Sequence, residues 1–193
     1  MELRPLCSGR YIQVGSSLCG GRSLSILESF FRDTTRLVTG GSWPDAYRGI
    51  DNCLDSLLKA EGEEAYAHSL KVDTSFGGTR KAPQLRGTVT GIGTDNFTPE
   101  ELIKGFMFGI AGELKAIYDK NAANRSGNNI LAATGGAVRK SAYFRGVLER
   151  VFDLKVSVPA CEEAAAYGSC MFADVASGII SSIEAAAENI IYS

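Results

Sequence analysis

The chain has 193 residues, 45% hydrophobic and 22% charged, with a formal net charge of −2. That length suits one large or two small domains with a substantial core, and the mildly acidic balance gives no reason to expect nucleic acid or an anionic membrane as partner. No apolar run reaches the ~18 residues of a membrane span, and the first residues lack the basic-then-apolar layout of a secretory signal.

Residues 11–16 (YIQVGS) alternate like a strand and run through Leu18-Cys19-Gly20-Gly21 into a helical segment. That segment covers residues 22 to about 32, with Leu24, Leu27, Phe30 and Phe31 as its apolar stripe. Thr39-Gly40-Gly41-Ser42 reads as a turn. Pro44 then fits the first turn of a second helix, stapled at its entry by Trp43, with Ala46, Ile50, Leu54, Leu57 and Leu58 at helical spacing up to about Ala60. The acidic EGEE run at 61–64 reads as a solvated link. Residues 69–76 and 87–92 have the period-two, β-branched character of strands. The connection between them is too long for a tight hairpin turn and predicts a broad loop, in which Arg80, Lys81 and Arg86 read as solvated bases. Thr98-Pro99-Glu100-Glu101 is a capping box with proline at the first helical position. The helix it opens carries Leu102, Phe106, Ile110, Leu114, Ile117 and Tyr118. Gly105, Gly109 and Gly112 line up along it at about 1 kcal/mol each relative to Ala, which implies that another backbone approaches closely.

A short apolar run, Ile130 to Ala133, is broken by Thr134-Gly135-Gly136-Ala137 and followed by a helical pattern with Val138, Ala142, Val147, Leu148 and Val151 on one face. Lys155 to Val158 is a brief strand ended by Pro159. Glu162 and Glu163 head a last long helix whose Ala164, Ala165, Ala166, Gly168, Ala173 and Ala176 make a small-residue surface suited to lying on a sheet. From residue 69 onward the order β, β, α, β, α, β, α predicts an α/β layer structure with a mixed sheet flanked by helices. Five cysteines (Cys7, Cys19, Cys53, Cys161, Cys170), scattered and never in a C-x-x-C pair, argue against a disulfide framework or a zinc site and for reduced thiols in a cytoplasm. The single histidine, His68, excludes any mechanism that needs two imidazoles and reads as a surface or edge residue.

The glycines number 22, against a usage of roughly 7% in average proteins, and they gather at the joints between elements. Two joints share one arrangement, strand then diglycine then helix: Gly20-Gly21 and Gly135-Gly136. The first amides of a helix have no internal acceptor and stand at the positive end of its dipole. Glycines there let a ligand approach the backbone, because no Cβ stands in the way. Such a corner can hold a phosphate, a ribose or an adenine edge, and two of them suggest a shared ligand.

Three stretches, FGGTRKAP…RGTVTGIGTDNFTPEELIKG, ILAATGGAVRKS and EEAAAYGS, make the chain resemble the C-terminal half of an FGGY carbohydrate kinase from about residue 11 to 176. VGSSLCGGRSLSILESFFR is most similar to bacterial enzymes of sedoheptulokinase or xylulokinase type. The resemblance implies an actin-like ATPase (ribonuclease H-like) domain, with residues 1–193 as the C-terminal nucleotide-binding domain and the sugar-binding domain not in this chain. It implies ATP and Mg2+, and phosphorylation of a ketose such as sedoheptulose or xylulose, or of a polyol, by a parent protein. By similarity, Gly135, Gly136, Ala137 and Ser141 cradle adenine and ribose, and Gly20 and Gly21 contribute to the same pocket. No catalytic residue and no metal ligand is expected within the chain: neither Asp73 nor Asp95 suits the role of base, and the sugar is expected to bind mainly to the other domain. The expectation is of a cytoplasmic protein with no nucleic-acid or membrane partner, a homodimer being compatible. A stand-alone, non-catalytic nucleotide-binding or interaction module is the competing reading. One departure stands inside the matched part: Phe108-Gly109 occupies a place where relatives commonly carry an acidic residue before glycine, which predicts a local difference in packing.

Overall fold

The computed structural model describes residues 2–6, 9–17, 20–41, 45–59, 62–79, 82–120 and 130–192. In chain order these form β1 (Glu2–Pro5), β2 (Tyr11–Val14), α1 (Gly20–Thr39), α2 (Tyr47–Lys59), a 3-10 turn (Glu63–Tyr66), β3 (Lys71–Asp73), β4 (Thr88–Thr90) and α3 (Pro99–Asp119). Then follow β5 (Ile130–Ala132), α4 (Gly136–Lys140), α5 (Ala142–Phe152), β6 (Lys155–Ser157), α6 (Ala164–Ala176) and α7 (Ile183–Ala187). Strands and helices alternate as the residue pattern predicts. Both antiparallel and parallel pairings occur, but among the described residues each stays in a ribbon of its own. β1 pairs with β2 and β3 with β4 antiparallel, while β5 and β6 are parallel with Leu131 opposite Val156.

The core lies where α1, α2, α3 and α5 meet, with Leu27, Leu54, Leu70, Tyr143 and Val147 fully enclosed. Helix α3 starts where its cap dictates: Thr98 Oγ1 accepts from the Glu101 amide at 3.2 Å and Pro99 takes the first helical position. The return half of the capping box is not made. The Glu101 carboxylate instead reaches back to β3's entry, accepting from the Ser69 amide and hydroxyl at 2.7 Å each, while the Thr98 amide donates to the Asn96 carbonyl. A clip 32 residues long in sequence thus replaces a local one.

That clip titrates. Burial alone would raise Glu101, but the two Ser69 hydrogen bonds and Lys104 outweigh it and hold the carboxyl below the usual carboxylate range. A depressed folded value means stability that is complete above the unfolded value and lost as pH falls through the folded one. Glu101→Gln is therefore expected to cost about 1 kcal/mol at pH 7 and to flatten the stability profile below about pH 4.5. Urea unfolding from pH 3 to 7 measures both; an unchanged profile would remove the clip from the account.

Two of the three glycines on α3 meet the backbone they imply. A Cβ on Gly105 would stand 2.9 Å from Val72 Cγ2 and 3.0 Å from the Leu70 carbonyl, and one on Gly109 would collide with the Val72 carbonyl. Gly112 faces open space, so the close approach of α3 and β3 ends one turn earlier than the glycine row.

Other expectations are corrected. Helix α1 runs on to Thr39, Thr35 and Thr39 donating their hydroxyls to carbonyls four residues back, and Gly40, at φ +67°, ends it. The pattern from Val138 to Val151 is two helices, since Ser141 adopts an extended backbone and caps α5 by accepting from the Phe144 amide at 3.1 Å; Ala142 is exposed rather than on the apolar face. The small-residue surface of α6 does not lie on a sheet. Ala165, Ala166, Ala173 and Ala176 are exposed, and α6 buries Met171 and packs against α7. Trp43, Pro44, Arg80, Lys81, Leu18, Cys7 and Cys19 lie outside the described residues, and so do the staple, the basic-loop contacts and the thiol states read for them. Arg86 is engaged within its own loop, donating to the Pro83 and Leu85 carbonyls. The acidic link is anchored: Glu63 pairs with Arg150 of α5 at 3.0 Å, and that guanidinium lies over the Tyr66 ring. Among the described residues no helix is long and apolar enough to cross a membrane.

Candidate functional site

The two diglycine corners, more than 100 residues apart in sequence, come together. At the first, Ser17 Oγ accepts from the Gly20 amide at 3.1 Å and α1 begins at Gly20. At the second, the Ala133 amide donates to the Ser157 carbonyl at 2.9 Å, carrying the β5–β6 pairing one step past the strand. The chain then turns through Gly135 at φ +109° and ψ 160°, and the Gly135 carbonyl accepts the first bond of α4 from Arg139. That backbone conformation strains any residue with a Cβ, so the first glycine is required by the turn. The second is not: a Cβ on Gly136 would meet nothing within 4 Å. Its side is open because it faces a cavity.

Gly20, Gly21, Gly135, Gly136 and Ala137 line one cavity of about 400 Å³, walled by Leu24, Ile110, Leu114, Leu131 and Phe144. Its volume falls within the range of small-molecule sites. Among the described residues no titratable side chain lines it, so they offer it shape, backbone groups, the Thr134 side chain and apolar contact. Gly21, Gly136 and Ala137 also border a second cavity of about 340 Å³. Ser141 reaches only this second one, and its oxygen is already accepting from the Phe144 amide.

Three polar residues of the second cavity, Tyr47, Asp51 and Lys140, carry no role in the sequence reading. A signal existed. Tyr47 and Asp51 are one turn apart on α2, beside the Ile50 and Leu54 stripe that identifies the helix. Burial and the neighbouring Asp55 carboxylate push Asp51 above the usual carboxylate range, partly offset by Lys140.

Elsewhere, Asp73 accepts from the Ser75 amide at 2.8 Å, a local turn bond. Phe108 stacks on His68, centroids 3.8 Å apart and planes 14° apart, so the aromatic ring and the single imidazole of the chain cover one another at the surface. Among the described residues no group of three or more His, Cys, Asp or Glu side chains is placed to hold a metal ion.

The model of the FGGY family of carbohydrate kinases, C-terminal domain, matches residues 23–177, more than half the chain. The chain belongs to that family. No curated protein matches it in sequence. Solved structures share the fold at low identity. The xylulose kinase from Rhodospirillum rubrum has a TM-score of 0.65 at 18% identity, over 90% of this chain and 32% of its own. The xylulose kinase from Lactobacillus acidophilus gives 0.59 at 17%, over 75% and 32%. The glycerol kinase from Plasmodium falciparum, solved with ADP, gives 0.57 at 16%, over 72% and 28%. This FGGY chain therefore has the actin-like ATPase fold and spans about a third of the length of those kinases. The matched stretch contains the Gly135–Gly136 corner and begins just after Gly20 and Gly21; β1, β2 and α7 lie outside it.

Proposed function

We propose that this chain supplies the adenosine-binding half of a cleft in which a longer parent protein phosphorylates a sugar with ATP. The observation that carries the reading is the convergence of Gly20-Gly21 and Gly135-Gly136 on one cavity that the Gly136 backbone leaves open. ATP, when bound with Mg2+, supplies the phosphoryl group, and the protein's part in such transfers is positioning and electrostatic stabilisation. In this chain the Gly136 and Ala137 backbone lets the nucleoside approach, while Leu24, Leu131 and Phe144 exclude water beneath it. Gly20 and Gly21 close the opposite wall, and Ser141 holds the start of α5 so that the corner keeps its shape. The base that deprotonates the sugar hydroxyl, most sugar contacts and the far phosphate wall belong, in this proposal, to the rest of the parent. A ketose such as xylulose or sedoheptulose, or a polyol, is the proposed acceptor, and the cytoplasm the proposed site of action. Family membership supports the reaction class, and the xylulose and glycerol kinases of like fold support the acceptor class.

Calorimetric titration with ADP and magnesium, on wild type and on Gly136→Val, tests it. The variant is expected to fold, because its side chain projects into open space, and to lose nucleotide binding by about 100-fold or more as that side chain fills the cavity. A folded variant that binds ADP as wild type does would remove the corner from the site.

A further inference from the structure

Helix α4, on which the second corner opens, has five residues, and a helix so short is not stable by its own hydrogen bonds. No side chain caps its start at Gly135. Two guanidinium groups hold it instead. Arg145 of α5 donates from Nη1 to the carbonyls of Val138 at 2.7 Å and Arg139 at 3.1 Å, closing the end of α4. Arg139 reaches the other way. Its Nη2 donates to the carbonyls of Pro159, at 2.6 Å, and Cys161, both in the connection between β6 and α6. Its Nε is buried without an acceptor, and among the described residues no carboxylate pairs with the guanidinium. An orphaned buried N–H costs stability, so this charged fork is ill suited to filling space and well suited to gripping two carbonyls at once.

The loop it grips is itself held from the far side. The Ala160 amide donates to the Ile191 carbonyl at 2.8 Å and Pro159 bridges Tyr192, while Tyr167 of α6 donates its hydroxyl to the Asn189 carbonyl at 3.3 Å. Helix α7, which leads into residues 189–192, packs on α6 and pairs through Glu184 with Arg10. Both α7 and residues 189–192 follow the matched stretch of residues 23–177. A line of hydrogen bonds thus leads from residues 189–192 to the helix at the glycine corner.

We infer that Arg139 is a positioning residue for the nucleotide corner, locking α4 to a loop that residues 189–192 hold in place. The inference rests on the proposal that the corner binds a nucleotide. Arg139 borders neither cavity, so it acts through the backbone of Gly136 and Ala137, whose place it fixes. With α4 locked, the corner is ordered before the nucleotide arrives, and little ordering entropy is lost on binding. Without the lock, binding has to order α4 as well, and affinity falls.

Two measurements on the 193-residue chain test it, for wild type, Arg139→Met, Arg139→Lys and Glu101→Gln, the last loosening the Ser69 clip of α3 away from the corner. The first is amide hydrogen exchange without nucleotide. In Arg139→Met the amides of residue 139 and Ser141, which close α4 on the Gly135 and Ala137 carbonyls, are expected to exchange about 10- to 100-fold faster, with Val147 and Leu148 of α5 unchanged. The second is calorimetry with Mg-ADP, in which Arg139→Met is expected to bind about 10-fold more weakly. Glu101→Gln is expected to lose stability and to keep both wild-type values. Arg139→Lys keeps the charge but loses the fork, and is expected to lie between wild type and Arg139→Met in both measurements. Unchanged exchange at α4 in Arg139→Met overturns the inference and leaves the proposed corner standing. So does faster exchange there with ADP affinity unaltered, or an equal loss of affinity in Glu101→Gln. Full ADP affinity in Arg139→Lys, with α4 exchanging as fast as in Arg139→Met, assigns the effect to charge and overturns the inference too. No ADP binding by the folded wild-type chain at millimolar concentration overturns the proposal beneath, and the inference with it.

Discussion

Gly109→Ala is expected to destabilise the protein by about 2–3 kcal/mol, while Gly112→Ala on the same helix stabilises it by about 0.5–1 kcal/mol. The two positions look alike in the residue pattern, and both carry the helix penalty of glycine. They differ in what lies opposite. A methyl at Gly109 collides with the carbonyl of Val72, a backbone atom on β3 that cannot turn aside. The helix must then lift from the strand, loosening Leu70, Val72 and Phe106, all buried at that contact. A methyl at Gly112 meets nothing within 4 Å, so only the gain in helix propensity remains. Urea unfolding of both variants at constant m-value measures the pair. Equal and opposite signs are not required, but a Gly109→Ala midpoint at or above wild type would mean that α3 and β3 are not in contact as described.

Tyr143→Ala is expected to cost about 3–5 kcal/mol, and Tyr143→Phe about 1–2 kcal/mol. The ring, on α5, is fully buried, and it stacks on Tyr66 with centroids 4.9 Å apart and planes 13° apart. Its hydroxyl donates to the Ala65 carbonyl at 3.0 Å, which satisfies a buried acceptor in the turn between α2 and β3. Burial, the first cause, and nearby Tyr66, Glu101, Cys53 and Glu100 push the phenol well above its ordinary value, so it stays protonated and donating throughout the stable range. The alanine variant loses packing, stacking and hydrogen bond together, whereas the phenylalanine variant leaves the ring and orphans the carbonyl. Thermal unfolding of the two separates these terms. A Tyr143→Phe protein as stable as wild type would show that water reaches Ala65.

Both experiments probe the frame that holds the two glycine corners in place. Helix α5 carries Tyr143, Phe144, Val147 and Leu148 into the core, and Phe144 is also a wall of both cavities. A variant that loosens this helix should therefore weaken nucleotide binding in proportion to its loss of stability. Gly136→Val acts differently, since it is expected to weaken binding by about 100-fold or more with the fold retained.

Local chemistry was legible in the residues wherever a short-range rule decides the outcome. Thr98-Pro99 starts a helix because the hydroxyl and the fixed proline φ need nothing beyond the next turn. The diglycine of Gly135-Gly136 marks a turn because only glycine is at ease at φ +109°. The apolar spacing of Ile50, Leu54 and Leu57 identifies the buried face of α2, and the motifs around Gly135 carry the family resemblance that the match over residues 23–177 bears out. What depends on contacts between distant segments was not legible. Ser141 divides a helix whose apolar period runs on through it. Glu101 leaves its own cap for Ser69 across 32 residues. The alanines of α6 are exposed although their spacing suits a packed face, because spacing specifies a stripe and says nothing of what covers it.

The sequence by itself determined the succession of strands and helices, the caps and turns that bound them and the family to which the chain belongs, all of which follow from neighbours within a few residues or from motifs read in line. Only the tertiary structure decided that Gly20 and Gly136 line the same cavity, that Gly109 but not Gly112 touches a strand, and that Asp51 and Lys140 border one cavity. The physical reason is that the packing of α1 and α5 against α3 sets distances between residues far apart in the chain, and no local preference encodes such a distance.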